Sequence, residues 1–437
     1  MNITSTDISL NRRNLLLGAG ALGATGLLTG CLGTGGSGQS QPASSGSGAS
    51  GGLVTLQNSQ SDPKPKEALE TLIGDYPGEA EINTVATEQF RAQLSTYLTS
   101  SNPPDVLTWY AGSVSRNYAA EGLLLDLSDL WSDGGVCANF PDALRELSTD
   151  ESGKQIFVPT NYYWWSVFYK KSAFEEWGVE PPQSWDDFLA LCEELKGRGV
   201  TPLANGIGAS PWMASGWFDY LNLRINGAQY HRELLAGEHA FTDPEVEAVL
   251  EEYAKLIPFF DPNMASLSYQ EAVTPMVQNK SAMYLVGAFV TQFFPEDQRE
   301  DVDFFSVPTI DPNVPSAEEA PTEGYFAAAG TDNPQGTMEL LTYLASPESQ
   351  QTFIDISASS NLPTHPDVDT SNFSPLVQKG IELLQNTEEI TQFFNRDSSD
   401  ALQATADDAL TRFLANPSDI PEILANWQAA AERVWNQ

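Results

Sequence analysis

Tyr162-Tyr163-Trp164-Trp165-Ser166-Val167-Phe168-Tyr169-Lys170-Lys171 places six aromatic rings in ten positions, just after Phe157-Val158-Pro159. Tyr and Trp combine a flat apolar face with a polar edge. That combination matches a ligand with C–H faces and hydroxyl rims, which describes a sugar. The same rings would also fill a core. In a strand, successive side chains point to opposite faces, so the run divides between a core half and a pocket half.

Upstream, Leu53–Gln57 reads as a strand, and helices follow at about Lys66–Tyr76 and Glu88–Ser100. The second helix has Phe90, Leu94, Tyr97 and Leu98 at helical spacing. Asn102-Pro103-Pro104 breaks it, and Asp105–Tyr110 is a short apolar strand. This alternation points to α/β units around a largely parallel sheet. Ligands on such sheets sit at the carboxyl ends of strands, which makes Trp109 and Tyr110 site candidates as well as core candidates.

Downstream, Ser184 caps a helix over Trp185–Lys196, with Asp186 and Asp187 in its first turn. Asp243-Pro244, Asn333-Pro334 and Ser346-Pro347 each set a capping residue before a proline at the first helical position. Pro211–Tyr220 reads as an aromatic loop holding Trp212 and Trp217. Asp219 would accept hydrogen bonds from hydroxyls there, and Arg224 would donate to oxygen. Ala282–Val286 is an apolar strand ending in Gly287-Ala288-Phe289, where glycine admits a close backbone approach. Residues 309–323 form a Pro- and Glu-rich loop before Gly324-Tyr325-Phe326. Trp427 and Trp435 belong to the core side of a C-terminal amphipathic helix.

The 437 residues carry 59 acidic and 21 basic side chains, a net charge of −38. Nucleic acid is excluded as a partner, because phosphate contact needs clustered Lys and Arg. Acidity of this extent, with nine lysines in the chain, reads as a solubility device for concentrated salt. Screening there shrinks self-repulsion to roughly 3 Å at 1 M.

Residues 1–30 read as an address label outside the fold. Asn11-Arg12-Arg13-Asn14-Leu15-Leu16-Leu17 is a twin-arginine export signal. The apolar stretch Leu15–Leu28 is shorter than the about 20 residues of a membrane span. It ends at Leu28-Thr29-Gly30-Cys31, a lipobox that marks Cys31 for lipidation. Residues 31–52 are a Gly/Ser-rich tether. After removal of Arg12, Arg13 and Asp7 the chain keeps 19 basic and 58 acidic residues, a net of −39.

No His-Glu-x-x-His, Cys-x-x-Cys or phosphate-binding loop is present, and Gly48-Ala49-Ser50-Gly51-Gly52 matches the nucleophile-elbow pattern only formally, because a tether offers neither the strand nor the helix that the elbow needs. His231, His239 and His365 are too scattered for a zinc site, and no cofactor is expected. His365 reads as a loop residue with a lesser claim on a ligand. Cys192 reads as a small core residue, and a Cys137–Cys192 disulfide stays open outside the cell. Asn279 and Asn372 head glycosylation sequons of low specificity.

Several stretches together resemble the extracellular solute-binding proteins, family 1, of sugar-importing ABC transporters. They are Asn102-Pro103-Pro104-Asp105-Val106-Leu107, Tyr169–Phe174, Gly178–Phe188, Gly199–Leu203, Trp217–Arg224 and Ala282–Gly287. The acidity suggests a haloarchaeal-type member. The resemblance implies a two-lobed α/β fold of the periplasmic-binding-protein type (type II). Each lobe would be a mixed, mostly parallel sheet flanked by helices, with a hinged cleft between the two. Residues 53–158 and 326–360 would form lobe 1, and residues 159–325 and 361–437 lobe 2 with the C-terminal helices. Crossings would fall near Pro159, Glu323–Phe326 and Ser359–Pro363. The family's cleft positions match Trp109, Tyr110, Tyr162, Tyr163, Trp164, Trp165, Trp212, Trp217, Gly287, Phe289, Glu323 and Tyr325. Asp219, Glu323 and Arg224 would fix hydroxyls.

The expected function is a monomeric, lipid-tethered receptor outside the cell, not an enzyme. It would capture a mono- or small oligosaccharide and deliver it to membrane permease subunits served by a separate ATPase. The rival readings are the same fold holding a polyol or peptide, an exported carbohydrate-cleaving enzyme, and a surface adhesin.

Overall fold

The computed structural model describes residues 52–357 and 360–436. The twin-arginine signal, the lipobox with Cys31, and the tether up to residue 51 lie outside the described residues. In chain order the strands are β1 (Val54–Asn58), β2 (Ala80–Thr84), β3 (Val106–Tyr110), β4 (Val158–Tyr162), β5 (Trp165–Lys170), β6 (Thr201–Leu203), β7 (Ser281–Gly287), β8 (Val302–Phe305), β9 (Ala317–Glu319), β10 (Thr322–Ala327), β11 (Leu362–Pro363) and β12 (Glu389–Thr391).

The first sheet has the order β11-β4-β10-β3-β1-β2. Helices Pro63–Asp75 and Thr87–Thr99 make the crossovers that parallel pairing of β1 with β2 and β3 demands. The mostly parallel order stops at β3. β10 joins it antiparallel, and β4 and β11 continue antiparallel beyond. The reason is topological: β10 brings the chain back from the other half, so it starts at the sheet end where β3 finishes. β2 has no counterpart in the strand–helix–helix–strand expectation. It is a half-exposed edge strand, and its Ala-Glu-Ile-Asn-Thr lacks the apolar run that marks β3.

The second sheet has the order β6-β7-β5-β8, with β5 antiparallel to both neighbours. Every residue of β5 and β7 is buried. A short parallel ladder joins β9 and β12, so the expected Pro- and Glu-rich loop contains a strand.

Hydrophobic clusters cover both faces of the first sheet. Leu56, Leu69, Val106 and Leu340 serve one, and Phe90, Leu94, Leu107 and Phe326 the other. This is the alternation of strand side chains. A third cluster fills the second half. Cys137 belongs to the first cluster and Cys192 to the third, and both are free thiols, so they form no bridge. Ser184 and Asn333 cap their helices as expected, accepting from the amides of Asp187 and Gly336. Pro211–Tyr220 departs from expectation, because helix Met213–Ile225 begins inside it and is buried from Met213 to Arg224. A helix buried all round shows no amphipathic stripe, which is why the stretch resembles a loop in sequence.

The backbone stays paired in the first sheet through Tyr162 and again from Thr322. Passage between the sheets therefore falls at Tyr163–Trp164 and at Ala320–Pro321, rather than at Pro159 and Glu323–Phe326. At the third passage β11 still pairs with β4.

Candidate functional site

β1 and β3 end, and β10 begins, at one edge of the first sheet. Facing that edge are segments of the second half: residues 209–212, 268–270, the end of β7 and residues 395–396. Between them is a cavity of about 310 Å³ lined by rings and polar groups from both halves.

Trp109 and Tyr110 finish β3 and stack with ring centroids 4.4 Å apart. From the other side come Tyr163, Trp212, Tyr269 and Phe289. Phe289 stands edge-on to both Tyr163 (5.2 Å) and Tyr269 (5.8 Å). The two halves touch across the cavity. Trp212 Nε1 donates to Glu88 Oε1 at 3.2 Å, and the Tyr269 hydroxyl donates to Asp62 Oδ2 at 3.0 Å.

Arg396 is the polar centre. Its guanidinium carbon lies 3.8 Å from the Tyr110 ring centroid. Its Nη2 donates to the Tyr163 hydroxyl at 2.8 Å and to Glu323 Oε1 at 3.1 Å. Its Nη1 donates to Asn395 Oδ1 at 3.2 Å. Burial pushes the Glu323 carboxyl up, against the pull of Arg396. Burial likewise raises Asp62, against the hydrogen bond from Tyr269. Four side chains of the lining each carry a buried polar atom without a hydrogen-bond partner among the described residues: Arg396 Nε, Arg91 Nε, Gln60 Oε1 and Asn361 Oδ1. Unsatisfied buried polar atoms are costly, and four such atoms belong to side chains of this one lining. Chemically the site offers apolar ring faces together with donors and acceptors of both kinds.

Of the residues singled out in the sequence, Trp109, Tyr110, Tyr163, Trp212, Phe289 and Glu323 line this cavity. The remainder do not. Trp164 is buried against Phe304 and Gly380, and Trp165 against Phe393 and Gly216. Tyr162 flanks the second-half core. Trp217 is buried between Phe188 and Phe260. Asp219 is fully buried and accepts from the Phe394 amide. Arg224 is bound to Glu318 at 2.6 Å and to the Val307 and Ala317 carbonyls. Gly287 lies beneath Phe289 and Tyr163, where a Cβ would collide with both rings. Tyr325 pairs with Thr108, two residues deeper in the sheet than Glu323, about 7 Å from the cavity edge at strand rise. His365 packs against Phe140, 5.4 Å between centroids, outside the lining.

Asp62, Arg91, Tyr269, Asn361, Asn395 and Arg396 line the cavity without having been singled out. Arg396 sits between Asn395 and Asp397 with no motif around it. The scarcity of arginine in this acidic chain was the one available signal.

The chain matches the family model for bacterial extracellular solute-binding proteins over residues 63–351. It is 25% identical to an uncharacterised ABC transporter extracellular-binding protein of Pyrococcus horikoshii, over 68% of this chain and 66% of that protein. It is 25% identical to an alpha-glucosides-binding periplasmic protein of Rhizobium meliloti, over 74% of this chain and 73% of that one. Among solved structures, a bacterial solute receptor described as having an exclusive preference for β-D-galactopyranose superposes with a TM-score of 0.83. It is 27% identical, over 88% of this chain and 99% of that one. The two sheets with a cleft between them are the two-lobed arrangement of these neighbours, and the chain belongs to the bacterial extracellular solute-binding protein family.

Proposed function

We propose that this protein is the sugar receptor of an ABC importer. It captures a mono- or small oligosaccharide outside the cell and delivers it to a membrane permease driven by a separate ATPase. The observation that carries this reading is the cavity itself, with stacked rings beside unpartnered polar atoms and residues of both halves bonded across it. Relatives named for alpha-glucosides and for β-D-galactopyranose support the same ligand class. A volume of about 310 Å³ lies at the small end of ligand pockets, roughly 300–1,000 Å³, which favours one or two sugar rings. Arg396 and Arg91 are offset by Glu323, Asp62 and Glu88 in the lining, which favours an uncharged sugar.

In this reading Trp109, Tyr110, Tyr163, Trp212, Tyr269 and Phe289 supply ring faces. Arg396, Glu323, Asp62 and Asn361 hold hydroxyls. The protein acts as a monomer without catalysis. Export through the twin-arginine signal and lipidation of Cys31 would hold it at the outer face of the membrane, in salt matched to its acidity.

Calorimetric titration in molar KCl against mono- and disaccharides, with the sugar recovered and chromatographed, tests the proposal. Micromolar or tighter binding of unchanged sugar supports it. Released monosaccharide replaces it with an enzyme, and silence across sugars with binding of a polyol or peptide replaces the ligand class.

A further inference from the structure

We propose that Glu88 and Trp212 form a gate at the solvent mouth of the cavity and restrict the ligand to a single sugar ring, an inference that rests on the receptor reading above and narrows its ligand class.

Exposure across the lining locates the mouth. Trp109, Tyr163 and Arg396 are 1%, 3% and 4% exposed and form the floor. Among the described residues of the lining, only Ala86, Glu88 and Ala209 are exposed. The first two lie at the start of helix Thr87–Thr99 in the first half, and the third lies just before helix Met213–Ile225 in the second. The cavity therefore meets solvent between these two helix starts. The bond from Trp212 Nε1 to Glu88 Oε1, at 3.2 Å, spans that opening.

The two sides of the gate differ in freedom. The Trp212 ring is held by Trp165, Tyr269 and Phe393, with centroids 6.3, 5.4 and 5.8 Å away. Glu88 is an exposed side chain on a flexible stem, so it is the part that moves. Deeper in, the Tyr269 hydroxyl donates to Asp62 Oδ2 at 3.0 Å, between half-buried partners. Asp62 is the N-cap residue of helix Pro63–Asp75, yet its side chain makes no cap bond and meets Tyr269 instead. A cap that would stabilise the helix is given up for a bond between the halves. That inner bond holds the halves together whether the gate is shut or open.

A single ring within the cavity leaves both bonds intact. At about 310 Å³ the space is at the small end of ligand pockets. A second ring linked to the first has to pass the mouth, where it displaces Glu88 from Trp212. The displacement costs the longer sugar about one net hydrogen bond, roughly fivefold in affinity, and costs the monosaccharide nothing. The gate thus sets the ratio of affinities between short and long sugars, whereas closure of the halves acts on both alike. Specificity is such a difference between two affinities.

The test titrates the full chain in molar KCl with each monosaccharide of the panel above and with a disaccharide that contains it, D-glucose against maltose and D-galactose against lactose among them. The readout is the ratio of affinities within the pair. The wild type is expected to favour the monosaccharide by about fivefold or more. Glu88→Ala should bring that ratio down by about fivefold. Trp212→Phe, which keeps a ring but loses the N–H, should do the same. Glu88→Gln keeps an acceptor for Trp212 and should hold the ratio within about twofold of wild type. Equal or tighter binding of the disaccharide by the wild type overturns the proposal. So does a Glu88→Ala variant in which both sugars weaken alike, since that is the loss of a latch and not of a gate. Either result leaves the receptor reading standing. Silence with every sugar of the panel overturns both readings at once.

Discussion

The hydroxyl of Tyr269 reaches across the cleft to Asp62 at 3.0 Å, and this bond joins two segments 207 residues apart in sequence. With the bond from Trp212 to Glu88, it holds the halves in a closed arrangement. Closure of this kind is a hinge motion, and bonds present only in the closed form bias its population. Tyr269→Phe should weaken sugar binding by about fivefold, the worth of roughly one net hydrogen bond. Small-angle scattering of the unliganded variant should show a larger radius of gyration than the wild type. An unchanged radius together with unchanged affinity would remove the latch.

Arg396 touches Tyr110, Tyr163, Glu323 and Asn395 at once. Truncating it leaves Glu323 buried without its cation, a change that costs about 2–5 kcal/mol at comparable pairs. Arg396→Ala should lose at least about thirtyfold in affinity. Arg396→Lys should recover little, because an ammonium cannot reproduce the planar stacking and forked bonding of a guanidinium. Calorimetry of both variants checks this, and strong recovery by lysine would reduce the role of Arg396 to bare charge.

The pH response of Glu323 has a definite sign. Burial raises its carboxyl, so the folded protein holds the proton more tightly than the unfolded chain. Its contribution to stability therefore falls as pH rises from the ordinary glutamate range through the raised value. Affinity moves the other way, because protonation breaks the pairing with Arg396. Binding should weaken on acidification sooner than an ordinary glutamate would require. Glu323→Gln should bind more weakly at neutral pH and lack this acid limb. Melting and titration series across pH separate the two effects.

Gly324 is fixed by backbone contact. A Cβ there would strike the Val158 carbonyl and Pro159, where β4 inserts an extra residue opposite β10. Bulges re-aim neighbouring side chains, and here the neighbour is Glu323. Gly324→Ala should destabilise by about 1–3 kcal/mol through overpacking and weaken binding. Denaturant unfolding in molar KCl measures the first, and normal stability would disprove the constraint.

Trp217 provides the contrast. It is buried against Phe188 and Phe260, away from the cavity lining. Trp217→Phe should lower stability by about 1–3 kcal/mol while leaving the dissociation constant within about twofold. A large loss of affinity without loss of stability would return Trp217 to the ligand.

By itself the sequence determined the outline. Asn102–Asp105 and Gly178–Phe188 carry the family, the capped helices at Ser184 and Asn333 start where their side chains place them, and the short apolar run of β3 marks a strand whose end faces the cleft. These are local facts, set by backbone geometry and by which residues satisfy a helix terminus, so neighbouring residues suffice to encode them. Tertiary structure alone decided which rings meet the cavity. Tyr163 and Trp164 are adjacent in sequence, yet one lines the cavity and the other is buried against Phe304. That choice depends on where the chain leaves β4. Asp219 is a carboxylate in an aromatic stretch, and only the arrival of Phe394 turns it from a ligand candidate into a buried acceptor for a backbone amide. Arg396 was silent in sequence because its partners come from three distant segments, around Tyr110, Tyr163 and Glu323. Its role is a product of long-range packing in a low-dielectric interior, where pairing decides whether a charge can be buried at all.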